Sequence, residues 1–163
     1  WYGGWNNTVS YKNFDLNVFF RFSGGNKIMN ASRQSALFNM DFSNNGTEIL
    51  GRWVSPEQPG DGMTPKIGYG DASSLFNDGY TDSHFVESGN YLKLSTLALG
   101  YTLPKAVVSK LNMTKIRFYV QGQNLLTITG YSGLDPETNS RLGVDWNGMP
   151  QQRSFTFGAN ITF

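Results

Sequence analysis

The sequence predicts an all-β fold: an antiparallel segment of a transmembrane β-barrel with two long extracellular loops. Three observations predict it, namely five stretches of alternating apolar and polar residues, connections that alternate between short and long, and a low charge content. Charged residues make up 15% of the 163 residues, against roughly 25% in an average soluble domain. Aromatic residues also reach 15%, and there are 19 glycines. This composition favours strands over helices.

The clearest strand is predicted at Ser154–Phe163, where the alternation runs without a break. One face of it would carry Phe155, Phe157, Ala159, Ile161 and Phe163. A strand at Lys115–Gln123 repeats the pattern. Period-two alternation of this kind is typical of a strand with one apolar and one polar face.

A hairpin is predicted near the start of the chain, with strands at 5–11 and 14–22 and a two-residue turn at Lys12-Asn13. Asn tolerates the positive φ that such turns need. The fifth strand, Tyr91–Leu103, is less regular because Lys93 and Ser95 share the parity of its apolar residues. A β-bulge, or a strand end that rises above the membrane, would each explain this irregularity.

The connections between these strands alternate in length. Lys12-Asn13 and Pro104–Met113 are short, and Lys105–Leu111 can form one or two helical turns after the proline. The connections Ser23–Asn90 and Gly130–Arg153 are long. Short turns on one side and long loops on the other are typical of bacterial outer-membrane barrels. The C-terminus is then expected on the periplasmic side, with an aromatic girdle formed there by Tyr11, Phe14, Tyr101 and Phe163.

Several other classes of protein are not supported. The net charge is +1 and no cluster of Lys and Arg stands out in the sequence, so a nucleic-acid partner is not indicated. The single histidine, His84, has no evident catalytic partners. Asp41–Glu48 faintly resembles a calcium loop, but Arg52 stands where the twelfth-position glutamate belongs. The sequence therefore predicts no enzyme activity, no metal site and no cofactor.

Several ordered motifs resemble the C-terminal region of the SusC/RagA-type TonB-dependent outer-membrane transporters. The motifs are Tyr11–Leu16, Glu87–Leu94, Leu99–Pro104, Arg117–Thr127, Tyr131–Glu137 and Phe155–Phe163. The resemblance covers nearly the whole chain. It implies that residues 1–163 are the last five strands of a 22-stranded barrel, from which the plug and the N-terminal strands are absent. The start at Trp1 likewise predicts a piece of a longer protein.

The resemblance also implies partners and a location. The partners are the remainder of the barrel and its plug, a SusD-like surface lipoprotein, outer-membrane lipid, and TonB through the missing N-terminal region. The location is the outer membrane of a Gram-negative, Bacteroidetes-like cell. The implied function is import of a nutrient, either a glycan or a peptide.

Three sets of residues are candidates for function. Loop aromatics that could contact substrate or a lid protein, or pack the loops together, are Trp53, Tyr69, Tyr80 and Trp146. Residues expected to face the barrel lumen are Asp15, Asn17, Arg21, Arg117, Gln121 and Gln123. Phe163 resembles the terminal aromatic that outer-membrane insertion machinery reads.

Two alternative functions remain open from the sequence. The chain could belong to a SusC-like barrel that serves as a structural or interaction subunit of a larger outer-membrane complex. It could also be a soluble carbohydrate-binding β-sandwich, in which the strand-end aromatics Tyr11, Phe14, Tyr101 and Phe163 would form an ordinary core.

Overall fold

The computed structural model describes residues 1–38, 44–66, 83–137 and 143–163, which belong to two compact units. The sheet unit comprises Trp1–Asn26, Gly89–Gly130 and Pro150–Phe163, and the loop unit comprises Lys27–Ser88 and Tyr131–Met149. The strands are β1 Tyr2–Tyr11, β2 Phe14–Ser23, β3 Lys27–Asn30, β4 Val86–Ser88, β5 Tyr91–Thr102, β6 Lys115–Thr129, β7 Val144–Asp145 and β8 Ser154–Thr162.

The sheet unit is one antiparallel sheet with the strand order β1-β2-β5-β6-β8. These are the five strands that the alternation predicts, and the prediction of an all-β fold is confirmed. The main difference is at β6, which continues past the predicted end at Gln123 to Thr129.

The apolar residues of the five strands share one face because the register pairs them with each other. Trp5 pairs with Phe20 and stacks on it, with ring centroids 5.8 Å apart. Phe14 pairs with Tyr101 at 4.7 Å. This face is open: Phe157 is 79% exposed and Phe155 is 65% exposed.

The irregularity of β5 is a β-bulge, so the first of the two explanations is confirmed. Phe19 pairs with Thr96 and Phe20 pairs with Leu94, which leaves Ser95 as the extra residue. Lys93 therefore pairs with Arg21 on the polar face. The register between β5 and β6 also shifts here, next to Asn124, whose φ is +53°. One inserted residue restores the apolar parity of the rest of the strand.

Of the two short connections, the first differs in detail from the sequence prediction. In the turn between β1 and β2 the positive φ belongs to Lys12, at +52°, and not to Asn13. The other connection contains helix α2, Lys105–Val108, followed by a 3₁₀ turn at Ser109–Leu111. Pro104 occupies the N-cap position, so the helical turns follow the proline as predicted, and Asn112 ends the segment with a φ of +55°.

The long connections contain regular structure that the sequence reading missed. In the loop unit β3 pairs antiparallel with β4 and parallel with β7. Helix α1 spans Ala31–Phe38, and 3₁₀ turns lie at Thr47–Gly51 and Ser83–Phe85. Buried apolar side chains of this unit are Ile28, Ala31, Phe85 and Tyr131. Among the described residues, no helix is both long and apolar enough to cross a membrane.

Candidate functional site

A network of polar side chains in the loop unit joins three segments that are far apart in the sequence. Asn30, the last residue of β3, accepts a hydrogen bond from the backbone N–H of Arg33 at 2.9 Å. This contact caps the start of α1, as Asn does at many helix N-termini. Its amide nitrogen also donates to Glu87 at 3.2 Å and to Ser132 at 3.1 Å.

Glu87 in β4 is the centre of this network. Its carboxylate accepts the backbone N–H of Ser132 at 2.8 Å and the Ser132 hydroxyl at 2.7 Å. It also forms an ion pair with Arg33 at 3.3 Å. Arg33 pairs with Glu48 as well, at 2.8 Å. Because the Glu87 side chain is only 14% exposed, its contacts are stronger than exposed ion pairs, whereas Glu48 is 50% exposed and its pair with Arg33 is weaker.

The charges in the network shift the pKa values of its members. Burial of Glu87 opposes ionisation, but the hydrogen bonds from Ser132 and Asn30 and the charge of Arg33 outweigh it. The pKa of Glu87 is therefore below its ordinary value. The pKa of Arg33 is raised, chiefly by its hydrogen bonds to Glu48. Both side chains stay charged around neutral pH.

A second contact fixes the segment that carries Trp146. The Tyr131 hydroxyl donates to the carboxylate of Asp145 at 2.6 Å. The other oxygen of Asp145 accepts the backbone N–H groups of Asn147 at 3.0 Å and Gly148 at 3.2 Å. Burial and the Asp145 contact both raise the pKa of Tyr131, so it remains a neutral hydrogen-bond donor.

A cavity of about 590 Å³ lies within the loop unit, beside the network. Polar side chains on its wall include Asn30, Arg33 and Glu48, and two exposed apolar side chains, Leu134 and Trp146, also line it. Hydrogen-bonding groups that are already held in place, together with an aromatic surface, are common in small-molecule sites. This wall could bind the hydroxyls of a sugar or the amides of a peptide.

The predicted loop aromatics do not form one group in the described part of the chain. Trp146 lines the cavity and is 73% exposed. Trp53 is half-buried, and its ring centroid lies 5.9 Å from the Lys66 ammonium. Tyr69 and Tyr80 lie outside the described residues. Of the two predicted aromatics that the structure describes, Trp146 lies at the cavity and Trp53 does not.

The six residues predicted to line a lumen share the polar face of the five-stranded sheet, as the register shows. Arg117 in β6 forms two hydrogen bonds with Asp15 in β2, at 2.9 Å and 2.5 Å. Asn17 donates to Asn6 and Thr8, both at 2.9 Å. The hydrogen bonds hold these side chains in one arrangement, so the face is a defined polar surface.

The sequence reading missed several members of these surfaces. Phe19 lies on the polar face, close against Gly4, where an added Cβ would be 2.9 Å from the ring. Its odd parity within β2 was the available signal. Glu87 lies inside a motif that supports the resemblance, yet its role depends on contacts with Arg33 and Ser132 that no local pattern shows.

The calcium-like segment is described only from residue 44 onward. Glu48 is paired with Arg33, and Asp41 lies outside the described part of the chain. His84 has its ring edge-on to Phe85, 4.9 Å between centroids. Across residues 1–38, 44–66, 83–137 and 143–163, no group of three His, Asp or Glu side chains could hold a metal.

Comparison with known proteins identifies relatives over nearly the whole chain, although no protein-family model matches it. TonB-dependent receptor P3 of Formosa agariphila is 33% identical over 98% of the chain. TonB-dependent receptor SusC of Bacteroides thetaiotaomicron is 26% identical over 98% of it. The solved RagAB peptide transporter matches 99% of the chain with a TM-score of 0.83 and 27% identity.

The chain spans 16% of receptor P3, 15% of SusC and 17% of the matching RagAB chain. Receptors of this type are outer-membrane proteins. The resemblance seen in the sequence is thus confirmed, and the chain belongs to the SusC/RagA-type TonB-dependent receptors as a C-terminal segment.

Proposed function

We propose that this chain forms part of the barrel wall and the extracellular loops of a TonB-dependent importer for glycans or peptides. The observation that carries the proposal is the open apolar face of the five-stranded sheet. Phe157 and its neighbours on that face are exposed, while the opposite face holds a hydrogen-bonded polar surface. Strands of a membrane barrel need this arrangement, because one face meets lipid and the other faces the lumen.

The five strands would be the last of a 22-stranded barrel whose other strands and plug lie elsewhere in the polypeptide. β1 and β8 are the edges of the sheet, and unpaired edges are too costly to leave in lipid. Both edges therefore require partner strands. In this arrangement the turn between β1 and β2 faces the periplasm, as does Phe163, and TonB is contacted by a region outside this chain.

The loop unit would lie on the extracellular side and meet the substrate or a SusD-like lipoprotein. Trp146 and the cavity beside it are its best-supported contact surface, and Trp53, Tyr69 and Tyr80 are further candidates. RagAB, to which the chain is similar, is a peptide transporter. Peptides and oligosaccharides should therefore be tested side by side as substrates.

Membrane placement can be tested with two neighbouring residues of β8. In the full-length receptor, with other cysteines replaced, Phe157→Cys and Thr156→Cys are each labelled with an environment-sensitive dye in lipid vesicles. The two residues point to opposite faces of the strand. Quenching by brominated lipid tails is expected at position 157 and not at position 156. Equal quenching at both positions would contradict the proposal.

Transport can be tested with the intact receptor in cells. Uptake of labelled oligosaccharides and labelled peptides is compared between the wild-type strain and one that lacks the receptor. Loss of uptake of one class supports the importer and identifies its substrate. If neither class is taken up while a stable envelope complex is isolated with the receptor, the alternative of a structural subunit is favoured.

A further inference from the structure

Four lysines lie at one end of the five-stranded sheet, the turn end, where Phe14 pairs with Tyr101 and the turn between β1 and β2 is beside the connection between β5 and β6. Lys12 lies in the turn between β1 and β2, and Lys105, Lys110 and Lys115 lie in or beside the connection between β5 and β6. All four side chains are exposed. We call these four residues the lysine rim. The sequence showed no such cluster because about ninety residues separate the first lysine from the other three.

Backbone hydrogen bonds hold the segments of the lysine rim together. The Thr102 N–H donates to the carbonyl of Asn13 at 2.8 Å, which joins the end of β5 to the turn with Lys12. The Leu103 N–H donates to the carbonyl of Ile116 at 2.9 Å, which joins the end of β5 to the start of β6 beside Lys115. The backbone segments that carry the lysines are therefore held in fixed positions relative to one another.

The lysine rim has almost no acidic side chains near it. Asp15 is the single acidic residue at this end of the sheet, and Arg117 already binds it. The contrast extends to the whole chain. The sheet unit has eight Lys and Arg against one Asp, and the loop unit has five against eleven Asp and Glu. The net charge of +1 thus conceals a strongly basic sheet unit.

Apolar and aromatic side chains accompany the lysines. The same end of the sheet carries Tyr11, Phe14, Tyr101 and Phe163, and the Lys12 ammonium lies 5.3 Å from the Tyr11 ring centroid. Between the lysines, Val107 and Leu111 are also exposed. Aromatic rings and lysine stems prefer the boundary between lipid tails and water, where the ammonium groups reach the headgroups.

We propose that the lysine rim binds the anionic headgroups of phospholipids in the leaflet next to the turn end. This inference rests on the proposed membrane placement. A zwitterionic headgroup offers its phosphate together with a positive charge that repels the lysines, whereas phosphatidylglycerol supplies a net negative charge at the required depth. Each lysine near an anionic surface strengthens binding by about fivefold at low salt.

The test measures lipid preference in the full-length receptor. The receptor is reconstituted with equal amounts of phosphatidylglycerol and phosphatidylcholine and extracted at low salt, and the retained lipids are counted by mass spectrometry. The wild-type receptor should enrich phosphatidylglycerol. Lys→Gln at positions 12, 105, 110 and 115 should reduce this enrichment by about fivefold or more. The control, Lys27→Gln with Lys66→Gln in the loop unit, should retain it.

A double variant and a competition with inorganic phosphate distinguish the possible causes of a lost enrichment. K105Q with K110Q alters only the exposed connection, and should give an intermediate loss even if the fourfold variant assembles poorly. Inorganic phosphate at matched ionic strength should not displace the lipid. Unchanged enrichment in both variants, or complete displacement by inorganic phosphate, overturns the proposal. The labelling of positions 156 and 157 does not depend on lipid charge, so a failure of membrane placement is recognised separately.

Discussion

At the scale of single residues, the loop unit depends on the charge of Glu87. In Glu87→Gln the hydrogen bonds from Ser132 and Asn30 persist only in a weaker, neutral form, and the ion pair with Arg33 is lost. The expected cost is about 1–2 kcal/mol of local stability. Hydrogen exchange of the Ser132 amide in the full-length receptor should therefore accelerate about tenfold.

The same carboxylate predicts a pH dependence with a definite sign. The folded pKa of Glu87 lies below its ordinary value of 4.5. The stabilisation that ionised Glu87 gives the loop unit is therefore complete above pH 4.5, its ordinary pKa. It is lost as the pH falls through the lower pKa of the folded state. Relative to the intrinsic exchange rate at each pH, the protection of the Ser132 amide should fall on acidification in the wild type, and change less in Glu87→Gln. Glu57→Gln, at an exposed side chain bound to Ser55, is the control that should leave Ser132 unaffected.

Trp146 permits a direct test of the cavity as a substrate or lid contact. Trp146→Ala removes the large exposed apolar surface while Asp145 still holds the backbone of the segment. If this residue contacts substrate, the KM for uptake should rise roughly tenfold, as for a hot-spot aromatic. Met149→Ala is the matched control, because Met149 is 80% exposed and does not line the cavity. An equal effect of both changes would contradict the role of Trp146.

At the scale of elements, the bulge at Ser95 keeps the two ends of β5 in phase with their neighbours. Deletion of Ser95 would move residues 91–94 by one position, because side chains alternate between the faces of a strand. Lys93 would then be placed on the apolar face. We expect the amount of full-length receptor in the outer-membrane fraction to fall severely. Ser95→Ala keeps the bulge and removes only the hydrogen bond from Arg21, so it should assemble nearly normally.

The elements also show how far the sequence was informative. Alternation predicted all five long strands because each strand has nine residues or more, which is long enough to show the pattern. Alternation could not distinguish a β-bulge from a raised strand end near Lys93, since the extra residue is recognised only from the pairing of β5 with β2 and β6. The loop sheet was missed because its strands have two to four residues and β3 pairs with the distant β7.

The candidate site was likewise predictable where the signal is local in the sequence and unpredictable where it depends on distant contacts. Trp146 could be proposed from the sequence, because a tryptophan among Gly, Asp and Asn in a long loop is a local signal. The polar network could not be predicted, since its contacts among Asn30, Arg33, Glu87 and Ser132 span up to 102 residues of sequence. The six polar-face residues were predictable, because strand parity fixes their side.

At the scale of the whole molecule, the two units divide the charge of the chain between them. Eleven of the twelve acidic residues belong to the loop unit, and the sheet unit is basic. In the proposed membrane placement, acidic residues are scarce in the five-stranded sheet because a carboxylate inside the membrane must be paired, as Asp15 is with Arg117. A net charge near zero is thus compatible with two surfaces of opposite character.

Assembly of the whole barrel provides a final prediction, at Phe163. Phe163 and Phe157 share the apolar parity of β8 and are similarly exposed, at 85% and 79%. If burial in lipid were the single role of both, Phe163→Ala and Phe157→Ala would reduce the outer-membrane level of the full-length receptor equally. We expect a larger loss for Phe163→Ala, because the proposed role of this residue includes recognition by the insertion machinery. The measurement is the folded receptor in isolated outer membranes, and equal losses would leave Phe163 with a role in lipid contact alone.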